Sequence, residues 1–363
     1  MKDKDLTIYL FAITLFGLLA VFSSSAVFSY YEYSSKYGMF IKQGAFALIG
    51  WIIFLMIRQL NPVKVIKYFV YPFSLLCIAS LVLVLVKGRE IYNAKRWLNI
   101  AGITLQPSEF FKIAAVMLAA TCFEKDGRIL LKNPNGSWNP RVIVNLLLIG
   151  LGTGLIFLEP DFGSAAMIIV ICWLALFASN VKLRYSLSLI PVIAVIGIVF
   201  VLISPYRIQR IKALLQKDAK RESISYQIVQ SERAIQNGKL LGVGPGKSRQ
   251  KIFYLPQAWS DFIFSIIYEE TGIPGTGLLI FLYVMIYLRI FVIYAGVKDI
   301  VLKFYVFMMG WLLVSETLLN ISIALGAFFP KGMALPFISA GGSSFIASML
   351  GLSLADAARE RNE

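Results

Sequence analysis

Apolar residues run through this chain in long blocks, separated for the most part by short polar connections. Read in windows of about 19 residues, the blocks fall at 6–28, 40–57, 68–86, 107–123, 141–158, 162–179, 184–204, 261–289, 303–325 and 334–356. The pattern predicts an all-α polytopic membrane protein with about ten transmembrane helices, in a single integral membrane domain covering 1–363. The fifth and sixth blocks are separated only by EPDFG, 159–163, which leaves room for a broken or re-entrant pair. The first block follows MKDKD. It is too long for the apolar core of a typical signal peptide and reads as an uncleaved first helix.

Composition supports this reading. The chain is 58% hydrophobic, and its 35 Lys and Arg against 20 Asp and Glu give a formal charge of +15. In a soluble protein that charge would raise nucleic acid as a partner. Among apolar blocks it points to membrane topology and anionic lipid groups, and no nucleic acid partner is expected. Lys and Arg favour the short connections on the side that holds both termini, so the positive-inside rule places the termini in the cytoplasm. The long connection 205–258, between helices 7 and 8, then lies on the outer, extracytoplasmic face of the membrane. It carries 11 Lys and Arg against Asp218, Glu222 and Glu232, a net charge of +8. Ile208, Ile211, Leu214 and Leu215 recur there at helical spacing among Arg207, Arg210, Lys212 and Lys217, a pattern that suits a helix on the membrane surface. A solvated basic loop and a docking surface for a polyanionic lipid-linked substrate both fit the charge.

Cys77, Cys122 and Cys172 fall in apolar runs and are not spaced as a metal site. The chain has no histidine, which removes His-based triads, His-ligated metals and a histidine base. No metal ligand set is assigned, and no haem is expected. Acid–base work falls to Asp, Glu, Lys, Tyr or Cys.

The chemistry concentrates in four stretches. In LPQAWSDFIFSIIYEETG, 255–272, Asp261 opens an apolar helix and Glu269 and Glu270 follow inside it. A carboxylate in a membrane span costs roughly 2.5–3.5 kcal/mol on insertion scales, so three in such a short stretch need a reason. Asp261 is expected at the helix N-cap, within reach of water and a substrate headgroup. The two glutamates need basic partners, for which Lys112 is a candidate. In PSEFFK, Pro107 suits a first helical turn, and Glu109 and Lys112 can pair at i, i+3 with Arg96 and Trp97 at the mouth of a cavity. In EPDFG, Asp161 is placed as a helix cap. LLGVGPGKS, 240–248, is one residue short of the phosphate-loop spacing and lacks the strand–helix context, so nucleotide binding is rejected. Its glycines are expected instead to bring Lys247, Arg249 and Lys251 near the membrane surface. PKGMALPFISAGGSS, 330–344, sets Lys331 before a run of small residues that ends at Ser343 and Ser344.

AKRWLNIAGITLQPSEFFK, EPDFGSA, GVGPGKSRQKIFYLPQAWSDFIFSIIYEETG and PKGMALPFISAGGSS, collinear along the whole chain, resemble the SEDS family (shape, elongation, division and sporulation; the FtsW/RodA/SpoVE group). GVGPGKS with QKIFYLP is more similar to the FtsW branch than to the RodA branch. The resemblance implies a peptidoglycan glycosyltransferase that polymerises lipid II, a disaccharide-pentapeptide on undecaprenyl pyrophosphate. By resemblance Asp261 matches the essential acid, and Glu109, Lys112 and Asp161 match other important positions. A class B penicillin-binding protein and other divisome or elongasome membrane proteins are the implied partners. The chain departs from the family pattern at Gln257, Trp259 and Ser260, where Glu, His and Thr are usual, at Glu159 for Gln, at Ala340 for Tyr, in EETG for EELG, and at Phe329 and Pro330.

A polymerase on that face has no ATP and needs an activated donor, which a lipid pyrophosphate is. Asp261 is then the expected base. Arg96, Lys247, Arg249, Lys251 and Lys331 are expected to stabilise the pyrophosphate, with a divalent cation, Mg or Mn, as a further source of positive charge. A lipid II flippase and a non-catalytic scaffold for a transpeptidase are the competing readings.

Overall fold

The computed structural model describes residues 3–91, 94–100, 103–123, 126–129, 137–180, 184, 186–188, 191, 224–328 and 332–359. Three helices open the chain: α1 (Lys4–Tyr33), α2 (Gly38–Ile57) and α3 (Pro62–Lys87). A small antiparallel sheet follows, β1 (Arg89–Ile91), β2 (Ala94–Ile100) and β3 (Ile103–Leu105), in the order β1-β2-β3. Then come α4 (Pro107–Ala120), α5 (Pro140–Leu158), α6 (Phe162–Ala178), α7 (Ile224–Gly238), α8 (Ile263–Gly296), α9 (Ile300–Ala324) and α10 (Gly342–Ala357). Proline opens α3, α4 and α5, where its missing N–H costs nothing.

Of the helices described, α1, α2, α3, α5, α8 and α9 are long and apolar enough to cross a membrane, and α6 is a shorter apolar helix. The protein is a multi-pass membrane protein. Side chains such as Leu19, Leu76 and Leu147 face outward from the bundle, and the most thoroughly buried helix is the short α4, enclosed by α3, α5, α6, α9 and α10. Helices approach closely where a glycine faces a large side chain: a Cβ at Gly152 would lie 2.0 Å from the Phe111 ring, and one at Gly50 would lie 2.7 Å from Phe345. At one end of the bundle Asp3 pairs with Arg289 (2.6 Å) and Arg359, and Asp356 pairs with Arg58 (2.8 Å).

Several sequence expectations change. The predicted span 184–204 and the amphipathic pattern at 207–217 lie largely or wholly outside the described residues. The expected span 334–356 becomes helical only at Gly342, and 332–341 is a largely buried non-helical segment. The helical membrane fold carries one small addition, the sheet: ladder pairs such as Leu98–Leu105 form in a stretch with no helical period. Residues 224–238 of the long connection form α7, which packs on α8 and α9 through Ser231, hydrogen-bonded to Ser265 (2.6 Å) and to the Ala324 carbonyl (2.6 Å).

The glycine-rich stretch also docks on a broken helix. α8 breaks at Gly272 (φ 58°, ψ −149°), two residues before Pro274. Proline has no N–H to offer the Glu270 carbonyl, and the break separates Glu269 from Ile273. The loop supplies three backbone bonds in their place. Val243 N–H donates to the Glu269 carbonyl (2.9 Å), Gly244 N–H to the Glu270 carbonyl (2.9 Å), and Ile273 N–H to the Leu240 carbonyl (2.9 Å). Gly242 sits at φ +78°, and a Cβ there would lie 2.3 Å from the Glu270 carbonyl oxygen. Gly246 has the same φ with nothing within 4 Å of the Cβ position. Gly246→Ala should therefore cost only the left-handed penalty of about 1–2 kcal/mol. Gly242→Ala should cost clearly more and loosen the loop. Thermal unfolding in detergent, with limited proteolysis at 239–251, checks the contrast; equal costs would refute it.

Candidate active site

Asp261 sits in the turn that leads into α8, and its surroundings are built by backbone contacts between 257–262 and 333–340. Asn320 on α9 donates to the carbonyls of both Asp261 (2.9 Å) and Met333 (2.6 Å), joining the two segments. Ser339 donates to the Ser260 carbonyl (2.5 Å) and accepts from Leu335 N–H (2.8 Å). Ala340 N–H reaches the Trp259 carbonyl (3.0 Å). Trp259, where the family usually has His, stacks on Phe28 with ring centroids 4.1 Å apart. Ser260 bonds the Gln257 side chain (2.8 Å). The N-cap of α8 is Phe262, without a side-chain cap bond, so Asp261 does not cap the helix as expected. Its carboxylate faces Gly332, where a Cβ would lie 3.1 Å from Oδ2. Asp261 is half-buried. Desolvation pushes its carboxyl up to about 6, while the Ser260 hydrogen bond and the charge of Arg96 pull the other way.

Arg96, half-buried on β2, is near enough for its charge to act on the Asp261 carboxyl. Its guanidinium donates to the backbone carbonyls of Glu159 (3.2 Å) and Pro160 (2.5 Å). Both are neutral acceptors, so those bonds hold the group in place without cancelling its charge. Trp97, next on the strand, is half-buried. Asp161 caps α6 as expected, accepting from Ser164 N–H (3.5 Å) and Oγ (2.8 Å), and also gathers Ser108 (3.2 Å) and Gln106 (3.4 Å) from the start of α4. Gln106 N–H in turn donates to Ser343 (2.9 Å), which ties α4 to the start of α10; Ser344 beside it is buried. Asp161 and Ser343 thus hold three helix ends together.

Deeper along α4, Lys112 pairs with Glu109 (3.0 Å), as the i, i+3 spacing predicts, and also with Glu316 of α9. Glu316 was missed by sequence reasoning, although a lone acid inside the apolar run 303–325 was the available signal. Lys112 is therefore not the partner of the two α8 glutamates. Glu269 accepts from Ser248, from Asn237 (3.2 Å) and from the N–H groups of Arg249 and Gln250 (both 3.4 Å). Glu270 pairs with Lys251 (2.6 Å) and accepts from Ser23 (2.6 Å).

This corrects the assignment of Lys251 to the pyrophosphate, since a buried ammonium already paired with a carboxylate has little charge left for a ligand. The Lys247 and Arg249 side chains are exposed on the same loop. Lys331 lies outside the described residues.

The sequence model of the family described as cell cycle protein FTSW_RODA_SPOVE matches residues 4–363. The chain is 32% identical over 355 residues to the probable peptidoglycan glycosyltransferase FtsW of Trichlorobacter lovleyi, covering 97% of this chain and 91% of the relative. It is 32% identical over 355 residues to the protein of the same name from Coxiella burnetii, covering 96% and 94%. Its fold is similar to a chain of a peptidoglycan synthase complex that coordinates polymerization and crosslinking (TM-score 0.79, 22% identity, 100% of this chain and 98% of that one). It is also similar to the rod shape determining protein RodA of Thermus thermophilus (TM-score 0.71, 21% identity, 100% and 98%).

The triad on α4 and α9 has a testable energetic signature. Lys112→Met strands two buried carboxylates and should cost about 3–5 kcal/mol. Adding Glu316→Gln should recover part of that loss. Equilibrium unfolding in mild detergent measures both, and purely additive effects would show that the pair is not coupled.

Proposed function

The chain belongs to the FtsW/RodA/SpoVE family of cell cycle proteins, and we propose that it is a peptidoglycan glycosyltransferase that polymerises lipid II at the outer face of the bacterial cytoplasmic membrane, with both termini in the cytoplasm. The observation that carries this reading is the pairing of Asp261, held at the start of α8 and still half-exposed, with an Arg96 whose charge is not cancelled by its hydrogen bonds. The names of the relatives at 32% identity support it.

In this mechanism Asp261 accepts the proton of the acceptor sugar hydroxyl. The freed oxygen electron pair forms the new bond to the anomeric carbon of the donor sugar. The bond from that carbon to the pyrophosphate breaks, and its electron pair leaves with undecaprenyl pyrophosphate. Arg96 takes up the charge developing on the leaving group. Lys247, Arg249 and Lys331 are further proposed contacts for the polyanion. Trp97, Glu109, Lys112, Asp161, Ser343 and Ser344 shape the walls by holding the helix ends and the buried charges. Among the described residues no three acidic, Cys or His side chains converge to hold an ion. A class B penicillin-binding protein is the proposed partner, in line with the synthase complex whose chain shares this fold.

A base whose pKa lies near 6 is ionised at neutral pH yet still basic enough to take a proton, which suits general base catalysis. Lowering the pH protonates Asp261 and removes the acceptor, so polymerisation should fall about tenfold per unit well below pH 6. Asp261→Asn should form no strands at any pH. Lipid II polymerisation by purified protein with its transpeptidase, the latter devoid of glycosyltransferase activity, measures both. Equal strands from an equally folded variant would remove Asp261 from the chemistry. No strands from wild type, with lipid II crossing proteoliposomes, would favour the flippase.

A further inference from the structure

Glu159 is not used by the mechanism above. It closes α5 and is fully buried, and neither oxygen of its carboxyl has a hydrogen-bond partner. Arg96 bonds its backbone carbonyl, not its carboxylate. The charged groups acting on it are Asp161, at the start of α6, and Arg96, on β2. α4, which also packs on α5, sends Gln106 and Ser108 to Asp161, while its Glu109 and Lys112 are tied to each other and to Glu316. Lys87, at the end of α3, is exposed.

An ionised carboxylate in this position accepts no hydrogen bond to offset its burial, and the nearby Arg96 charge is its one source of compensation among the described residues. A proton removes the penalty. Desolvation, then repulsion from Asp161, raises the Glu159 carboxyl to about 8, with Arg96 opposing. Near neutral pH the group is therefore an uncharged neighbour of the guanidinium, and in mild alkali it becomes an anionic one.

We propose that Glu159 is a proton-controlled counter-charge to Arg96: with its proton it leaves the guanidinium free to bind a lipid-linked pyrophosphate, and without it the carboxylate offsets that charge. Glu159 is a positioning residue that acts through Arg96, and the inference rests on the assignment of Arg96 to the leaving group. The sign follows from linkage. A polyanion beside Glu159 favours its protonated form, so binding above pH 8 takes up a proton and weakens as pH rises. A glutamine, the residue usual in the family at this place, would have the shape without the titration.

The test is binding of undecaprenyl pyrophosphate to the detergent-solubilised full chain at pH 7 and pH 9, wild type beside Glu159→Gln. Wild type should bind about 10-fold more weakly at pH 9, the drop in the protonated fraction of a group titrating near 8. Glu159→Gln should change by less than about twofold. An infrared titration of wild type alone covers the case of a misfolded variant, and should show a protonated-carboxyl band at pH 7 that is lost by pH 9. The same alkaline loss in both proteins, binding in wild type that does not vary with pH, or no such band at pH 7 would overturn the proposal. Parallel lipid II polymerisation separates it from the reading it rests on. A binding shift without strands would retire the polymerase and leave Glu159 its role. Strands without a binding shift would do the reverse.

Discussion

Inside an apolar layer, every polar group must find its partner within the protein, and the break in α8 is where this constraint bears hardest. Pro274 and Gly272 interrupt the helical ladder just after two adjacent buried glutamates, Glu269 and Glu270. One loop answers both needs. Its backbone at 240–244 completes the interrupted hydrogen bonds, and a few residues on, Ser248, Lys251 and the N–H groups of Arg249 and Gln250 satisfy the two carboxylates. The broken helix and the docked loop depend on each other, and the turn carrying Asp261 lies on the same continuous stretch of chain.

The same constraint sorts the charges of the molecule by use. Lys112, Glu109 and Glu316 neutralise much of one another in the bundle, as do Lys251 and Glu270. Such pairs are weak sources of stability, and removing one member is expensive. They set which helices meet rather than how tightly the whole holds. Arg96 and Asp261 follow a different rule. Arg96 is anchored by neutral carbonyls, and Asp261 is fixed through its backbone carbonyl. Each keeps its charged end available for the roles proposed for it, taking up a proton and meeting a departing polyanion.

The departures from the family pattern acquire physical meaning in this setting. Trp259 stacks on Phe28, which steadies the turn from the side of α1. Ser260 and Gln257 bond each other beside the carboxylate. Glu159 puts a titratable group where an amide would be neutral at every pH, next to Arg96, the arginine proposed to meet the leaving group.

The apolar periodicity by itself determined the membrane class, nearly all of the helices and the i, i+3 pair of Glu109 and Lys112, because these depend on residues close along the chain. Asp161 as a cap was legible for the same reason. The partner of Glu270 was not: Lys251 and Lys112 are both cations at plausible distances in sequence, and only the docking of the glycine loop decides between them. Glu316 joined Lys112 across about two hundred residues, and the Asp261 pocket formed from two turns separated by all of α8 and α9. The β-strands beside Arg96 lay in a short segment whose ladder partners, not its local pattern, make it extended. Helix formation is a local property, which a sequence displays directly. Which charge meets which is a property of packing, and in a medium that forbids unpaired groups the packing alone has the final say.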